Sequence, residues 1–132
     1  MSDLVAKPAR EIRAMIGAKS VSPVEVFDAF ATRIEQVNPA INALVTLDLD
    51  RAQASARKAE QAVMKGEPLG ALPGVPGGIN DVPPTAGIRT TFGSPLYKDN
   101  VPQEDAEVVR RLKAAGAIVL AKTNTPEFAT GA

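Results

Sequence analysis

The sequence predicts an α/β fold, and three observations predict it. Amphipathic helical stripes fill the first half; a short strand bounded by Gly and Pro, Val75 to Ile79, opens the second; and a continuous apolar run, Ala117 to Ala121, follows one more amphipathic helix. Two strands joined by a crossover that long are expected to pair in parallel, because parallel neighbours cannot be linked by a tight turn. The expected layout is a helical part over 1–66 and a strand-loop-helix-strand part over 67–132, together forming one segment of a domain.

Taken in order, Pro8 suits a first helical turn and Ile12, Met15 and Ile16 share a face, so a short helix is expected to run to about Ala18. The next start is better marked. Ser22 and Glu25 are spaced as a capping box, with Pro23 at the first helical position. Phe27, Phe30, Ile34 and Val37 then recur at helical spacing, and Asn38-Pro39 is expected to end the helix. Ala43 to Leu47 reads as a short strand. Asp48 or Asp50 then caps a helix carrying Ala52, Ala56, Ala59 and Val63 and stopping at Lys65-Gly66. Its face is mostly alanine, which allows close approach but buries little area per residue.

From Pro68 to Pro84 the chain is rich in Gly and Pro, with Gly74-Val75-Pro76-Gly77-Gly78-Ile79-Asn80-Asp81 at its centre. Loop residues continue to Tyr97, among them the hydroxyls of Thr90, Thr91 and Ser94. Asp105 is expected to cap a helix whose Val108, Val109, Leu112 and Ala115 share a face, and Gly116 to close it. The sequence has no internal repeat or heptad pattern.

Composition narrows the chemistry. Of 132 residues, 15 are basic and 15 acidic, so no electrostatic attraction to nucleic acid or anionic lipid is expected. There is no Cys and no His, which removes disulfides, thiol nucleophiles, most zinc sites and imidazole bases. Met1 to Ala9 holds no apolar stretch suited to a signal peptide or membrane span, and the expected location is the cytoplasm. The Gly-rich run lacks the spacing of a phosphate-cradling loop.

Leu72-Pro73-Gly74-Val75-Pro76-Gly77-Gly78-Ile79-Asn80-Asp81, followed by Thr85-Ala86-Gly87, resembles the amidase signature family. The resemblance continues through Asp105-Ala106-Glu107-Val108-Val109 and Ala115-Gly116-Ala117 to Lys122-Thr123-Asn124-Thr125-Pro126-Glu127-Phe128. It also takes in Arg33-Ile34 ahead of Asn38-Pro39, and so nearly the whole chain. It implies the N-terminal portion of that family's α/β/α fold, with a parallel or mixed sheet incomplete in this chain. It further implies hydrolysis of small-molecule carboxamides through a serine acyl-enzyme, without metal or organic cofactor. The family's base is a lysine between the Ile and the Asp of the Gly-Val-Pro strand; here that position is Asn80. An amide side chain has no basic lone pair for a proton at neutral pH. The family's Gly/Ser-rich segment with both catalytic serines is expected beyond Ala132.

Three readings follow. The first is a truncated amidase segment without activity. The second is a non-catalytic interaction module that pairs an exposed sheet edge, left open after Ala121, with itself or another polypeptide. The third is an ordinary amidase, if residue 80 is lysine in the authentic protein and the chain continues. Thr90, Thr91 and Ser94 are the candidate substrate-binding hydroxyls beside residue 80. Lys122, at the end of the apolar run, is expected to be structural or solvated rather than a substitute base.

Overall fold

The computed structural model describes residues 3–131; Met1, Ser2 and Ala132, which end the readings above, lie outside them. Four helices pack with a three-stranded sheet. In chain order these are α1 (Ala9–Gly17), α2 (Pro23–Ile41), β1 (Leu44–Leu47), α3 (Leu49–Lys65), β2 (Pro76–Asn80), α4 (Glu107–Ala114) and β3 (Ile118–Thr123), with short 3-10 turns at Leu4–Ala6, Pro95–Tyr97 and Glu127–Ala129. Among the described residues no helix is long and apolar enough to cross a membrane.

The capping box forms as the spacing predicts. The Glu25 amide donates to Ser22 Oγ at 3.1 Å, and the Ser22 amide donates to Glu25 Oε2 at 2.8 Å. The far end of α2 differs from expectation. The helix runs through Asn38-Pro39 to Ile41 and stops where Asn42 turns left-handed at φ 48°. A proline there forfeits one backbone bond and crowds the preceding turn, but close to a helix end this is tolerable. Asn38 contributes as well. Its side chain donates to Leu44 O at 3.0 Å and accepts from the Leu44 amide at 2.9 Å, tying the last turn of α2 to the first residue of β1.

Helix α2 stands between two apolar clusters. Val26 and Ala29 join Ile12, Ile16, Val63 and Val75, while Phe27 joins Ala52, Ala56, Ile118, Leu120 and Ala121. The alanines of α3 let that helix lie close to β3, and this contact covers the middle of the sheet.

The sheet has the order β1-β3-β2. β2 and β3 are parallel as expected, and β1 runs antiparallel along the other side of β3. This corrects the expected open edge. The apolar strand β3 is central and covered, so the free edges belong to β1 and β2. The two glycines of β2 differ in their surroundings. A Cβ on Gly78 would meet Thr123 Cγ2 at 2.6 Å, whereas one on Gly77 would meet nothing within 4 Å. The register with β3 shifts between these two residues.

Helix α4 departs from expectation in two ways. Ala106, not Asp105, occupies the cap position. The Asp105 carboxylate instead accepts from the Ala86 amide at 2.8 Å and from Lys113 Nζ at 2.9 Å. Burial raises the pKa of this carboxyl, but the Lys113 and Ala86 hydrogen bonds outweigh that and leave it below the ordinary value. Val109 is fully buried, whereas Val108, one residue and about 100° around the helix away, is 54% exposed.

Candidate functional site

The site is built where β2 and β3 end side by side. Ile79 is level with Lys122 and Asn80 with Thr123, and the Asp81 amide extends the ladder by donating to Thr123 O at 3.0 Å. Successive side chains on a strand emerge on opposite faces. Lys122 therefore shares a face with buried Ile79, and exposed Asn80 lies on the other face with Thr123.

After Asp81 the chain bends through Pro83-Pro84 and returns along Thr85 to Ser94. Lys122 is fully buried beneath this loop. Its Nζ donates to Pro83 O at 2.6 Å, Thr85 Oγ1 at 2.7 Å and Thr90 Oγ1 at 3.1 Å. Both hydroxyls spend their own proton elsewhere, Thr85 on Pro83 O and Thr90 on Ile88 O, each at 3.1 Å. Each thus turns a lone pair toward the amine. Three acceptors facing three N–H bonds fit an ammonium. Burial pulls the Lys122 pKa down from 10.5 to about 8, against the carboxylates of Asp81 and Asp105, which favour the charge, and with Lys113, which opposes it. At neutral pH the group is still protonated.

Asp81 is buried too. It accepts from the Thr91 amide at 3.1 Å and from the Thr91 hydroxyl, while its carbonyl accepts from the Phe92 amide at 2.8 Å. Ser94, also buried, donates from Oγ to Glu127 Oε1 at 2.7 Å. The second loop is thereby tied to the segment after β3. Phe92 and Phe128 both have positive φ, 56° and 51°, and their rings stack with centroids 6.4 Å apart.

The four sequence-predicted positions separate in space. Thr91 and Ser94 line an open cleft of about 290 Å³ with Asp81, Arg89 and Lys98. Thr90 is buried and occupied by Lys122, and Asn80 is exposed at the strand end; neither lines that cleft. A larger hollow of about 600 Å³, between α3 and the start of β3, contains none of the four. The sequence reading missed Asp81 as a buried anchor. It left Lys122 between a structural and a solvated role, which complete burial decides in favour of the structural one. An apolar run leading directly into a lysine was the available signal.

Comparison with known proteins gives this geometry its context. The family described as Amidase matches residues 25–132. A glutamyl-tRNA(Gln) amidotransferase subunit from Acidothermus cellulolyticus is 44% identical over 131 residues, covering 99% of this chain and 26% of its own. An acylamidase of Rhodococcus erythropolis is 40% identical over 119 residues, covering 90% of this chain and 25% of its own. The chain thus spans about a quarter of the length of the curated relatives it matches. Among solved structures, a bacterial aryl acylamidase of the amidase signature family superposes with a TM-score of 0.87 at 31% identity, over 92% of this chain and 26% of that one. A chain of an inhibitor-bound vestigial protein complex, described as revealing the evolutionary origins of an s-triazine catabolic enzyme, does so with a TM-score of 0.90 at 32% identity, over 95% of this chain and 28% of that one. The family match reaches from α2 to the last residue, through both strands that end at the site, and the chain belongs to the amidase signature family.

Proposed function

We propose that this chain is a catalytically silent N-terminal segment of an amidase. One observation carries the reading. At the position where the resemblance places the family's lysine stands Asn80, exposed at the end of β2, while Lys122 lies buried on the opposite face of the strand pair. A base must come within hydrogen-bond reach of the hydroxyl it deprotonates. Asn80 has no proton-accepting nitrogen, and the three N–H bonds of Lys122 are all directed into the protein. The whole protein to which such a segment belongs would cleave small carboxamides through a serine acyl-enzyme, with no metal or organic cofactor. The cytoplasmic location expected in the sequence analysis is kept as part of this proposal.

Incubation of the purified chain with an aryl amide is expected to give no release above a buffer blank and no acyl adduct by intact mass spectrometry. Turnover abolished by a serine-directed inhibitor would overturn the reading. Sequencing the gene across codon 80 and past codon 132 decides the ordinary-amidase alternative, which needs a lysine codon at the first place and an open frame at the second.

The edge-pairing reading is favoured by a separate observation. β2 is an edge strand, and its Gly77, Gly78 and Asn80 are exposed. Strand addition there would satisfy unpaired backbone groups without steric obstruction by side chains at the two glycines. Light scattering after size-exclusion chromatography is its test. A concentration-independent monomer would count against self-pairing.

A further inference from the structure

Lys122 is engaged in a way that neither the silent-segment reading nor the edge-pairing reading uses. Its three N–H bonds reach both ends of one loop, at Pro83 and Thr85 on the outgoing side and Thr90 on the return. Thr90 is followed by Thr91, whose amide and hydroxyl both hold the Asp81 carboxylate. Asp81 in turn follows residue 80 directly.

We propose that Lys122 is a positioning residue for position 80: its ammonium ties β3 to the 83–90 loop and, through Thr90, Thr91 and Asp81, fixes the strand end on which residue 80 stands. This rests on residue 80 being the family's amine position. The charged groups facing Lys122 are Asp81 at the end of β2, Asp105 ahead of α4 and Lys113 on α4. Two carboxylates against one cation and three acceptors offset part of the cost of burying the ammonium, and burial still outweighs them and holds its pKa below the ordinary value.

Lys122→Met retains the apolar stem and removes the charge and all three donors. By residue-resolved hydrogen exchange, the amides of Thr91 and Phe92, which donate to Asp81, are expected to exchange at least about ten-fold faster in the variant. The Asp48 and Asn124 amides, which bond to Leu120 and Ala43, should change less than about two-fold. Lys122→Arg, which keeps the charge, is expected to recover part of the protection. Unchanged protection of Thr91 and Phe92 in Lys122→Met would overturn the proposal. If that variant does not fold, Thr90→Val, which removes only the acceptor linking the amine to the returning loop, decides the matter: the Thr91 and Phe92 amides are expected to exchange at least about five-fold faster while the Asp48 amide stays within about two-fold, and unchanged Thr91 and Phe92 protection would refute it. Neither readout involves substrate. Amide turnover by the chain would therefore sink the silent-segment reading without deciding this one.

Discussion

Asn80 and Lys122 sit on adjacent parallel strands one register step apart, yet their surroundings are opposite. The amide is exposed at the end of an edge strand; the amine is buried, with every donor matched to an acceptor. A strand's period of two converts a single step of sequence into a change of face. The lesson is that an amine one register step away in the sheet does not stand in for a side chain at position 80.

The largest effect expected from disturbing this contrast comes from reversing the buried charge. Lys122→Glu would set a carboxylate against three acceptors and near the carboxylates of Asp81 and Asp105, and should cost roughly 3–5 kcal/mol or abolish folding. Circular dichroism with urea titration reads this directly. Next comes the pair of glycines in β2. Gly78→Val forces a branched side chain onto Thr123 and is expected to cost about 1–3 kcal/mol, whereas Gly77→Val meets open space and should stay within about 0.5 kcal/mol. Equal midpoints for the two variants would contradict the packing described.

The remaining effect is a pH slope, spread over a window rather than read at one condition. Lys122 titrates at about 8 in the folded chain and near its ordinary 10.5 when unfolded. Between those values the unfolded state binds more protons, so stability rises with pH across this window, and below about pH 8 the full cost of burying the charge is present. Urea midpoints of the unaltered chain should therefore gain on those of Lys122→Met between about pH 8 and 10. A falling difference would mean that the folded protein raises this pKa instead.

Much of the fold was legible because its signals are local. The capping box at Ser22 and Glu25, the helical stripe from Phe27 to Val37, and the left-handed stop at Gly66 each lie within one helical turn or one residue of the feature they specify. The misreadings share a non-local cause. Pro39 would end a helix judged from its own neighbours, but the bonds between Asn38 and Leu44 reward carrying the helix on to Ile41. Asp105 has the chemistry of a cap, yet Ala86 and Lys113 engage its carboxylate. That β3 is flanked on both sides depends on β1, which lies more than 70 residues earlier in the chain. The site was legible in composition but not in arrangement. Thr90, Thr91 and Ser94 lie within five residues and look equivalent in sequence, but they answer to Lys122, Asp81 and Glu127 respectively.

Competitive amine labelling of the native Asn80→Lys variant with acetic anhydride, read by peptide mass spectrometry, tests the two-face arrangement most directly. The substitution replaces one exposed side chain by another and should shift stability by no more than about 0.5 kcal/mol. The new lysine is expected to react at the rate of other surface lysines, while Lys122 stays unmodified until the chain is unfolded. Labelling of Lys122 in the folded protein at a rate similar to the new lysine would show that its amine is accessible after all, and would contradict the account.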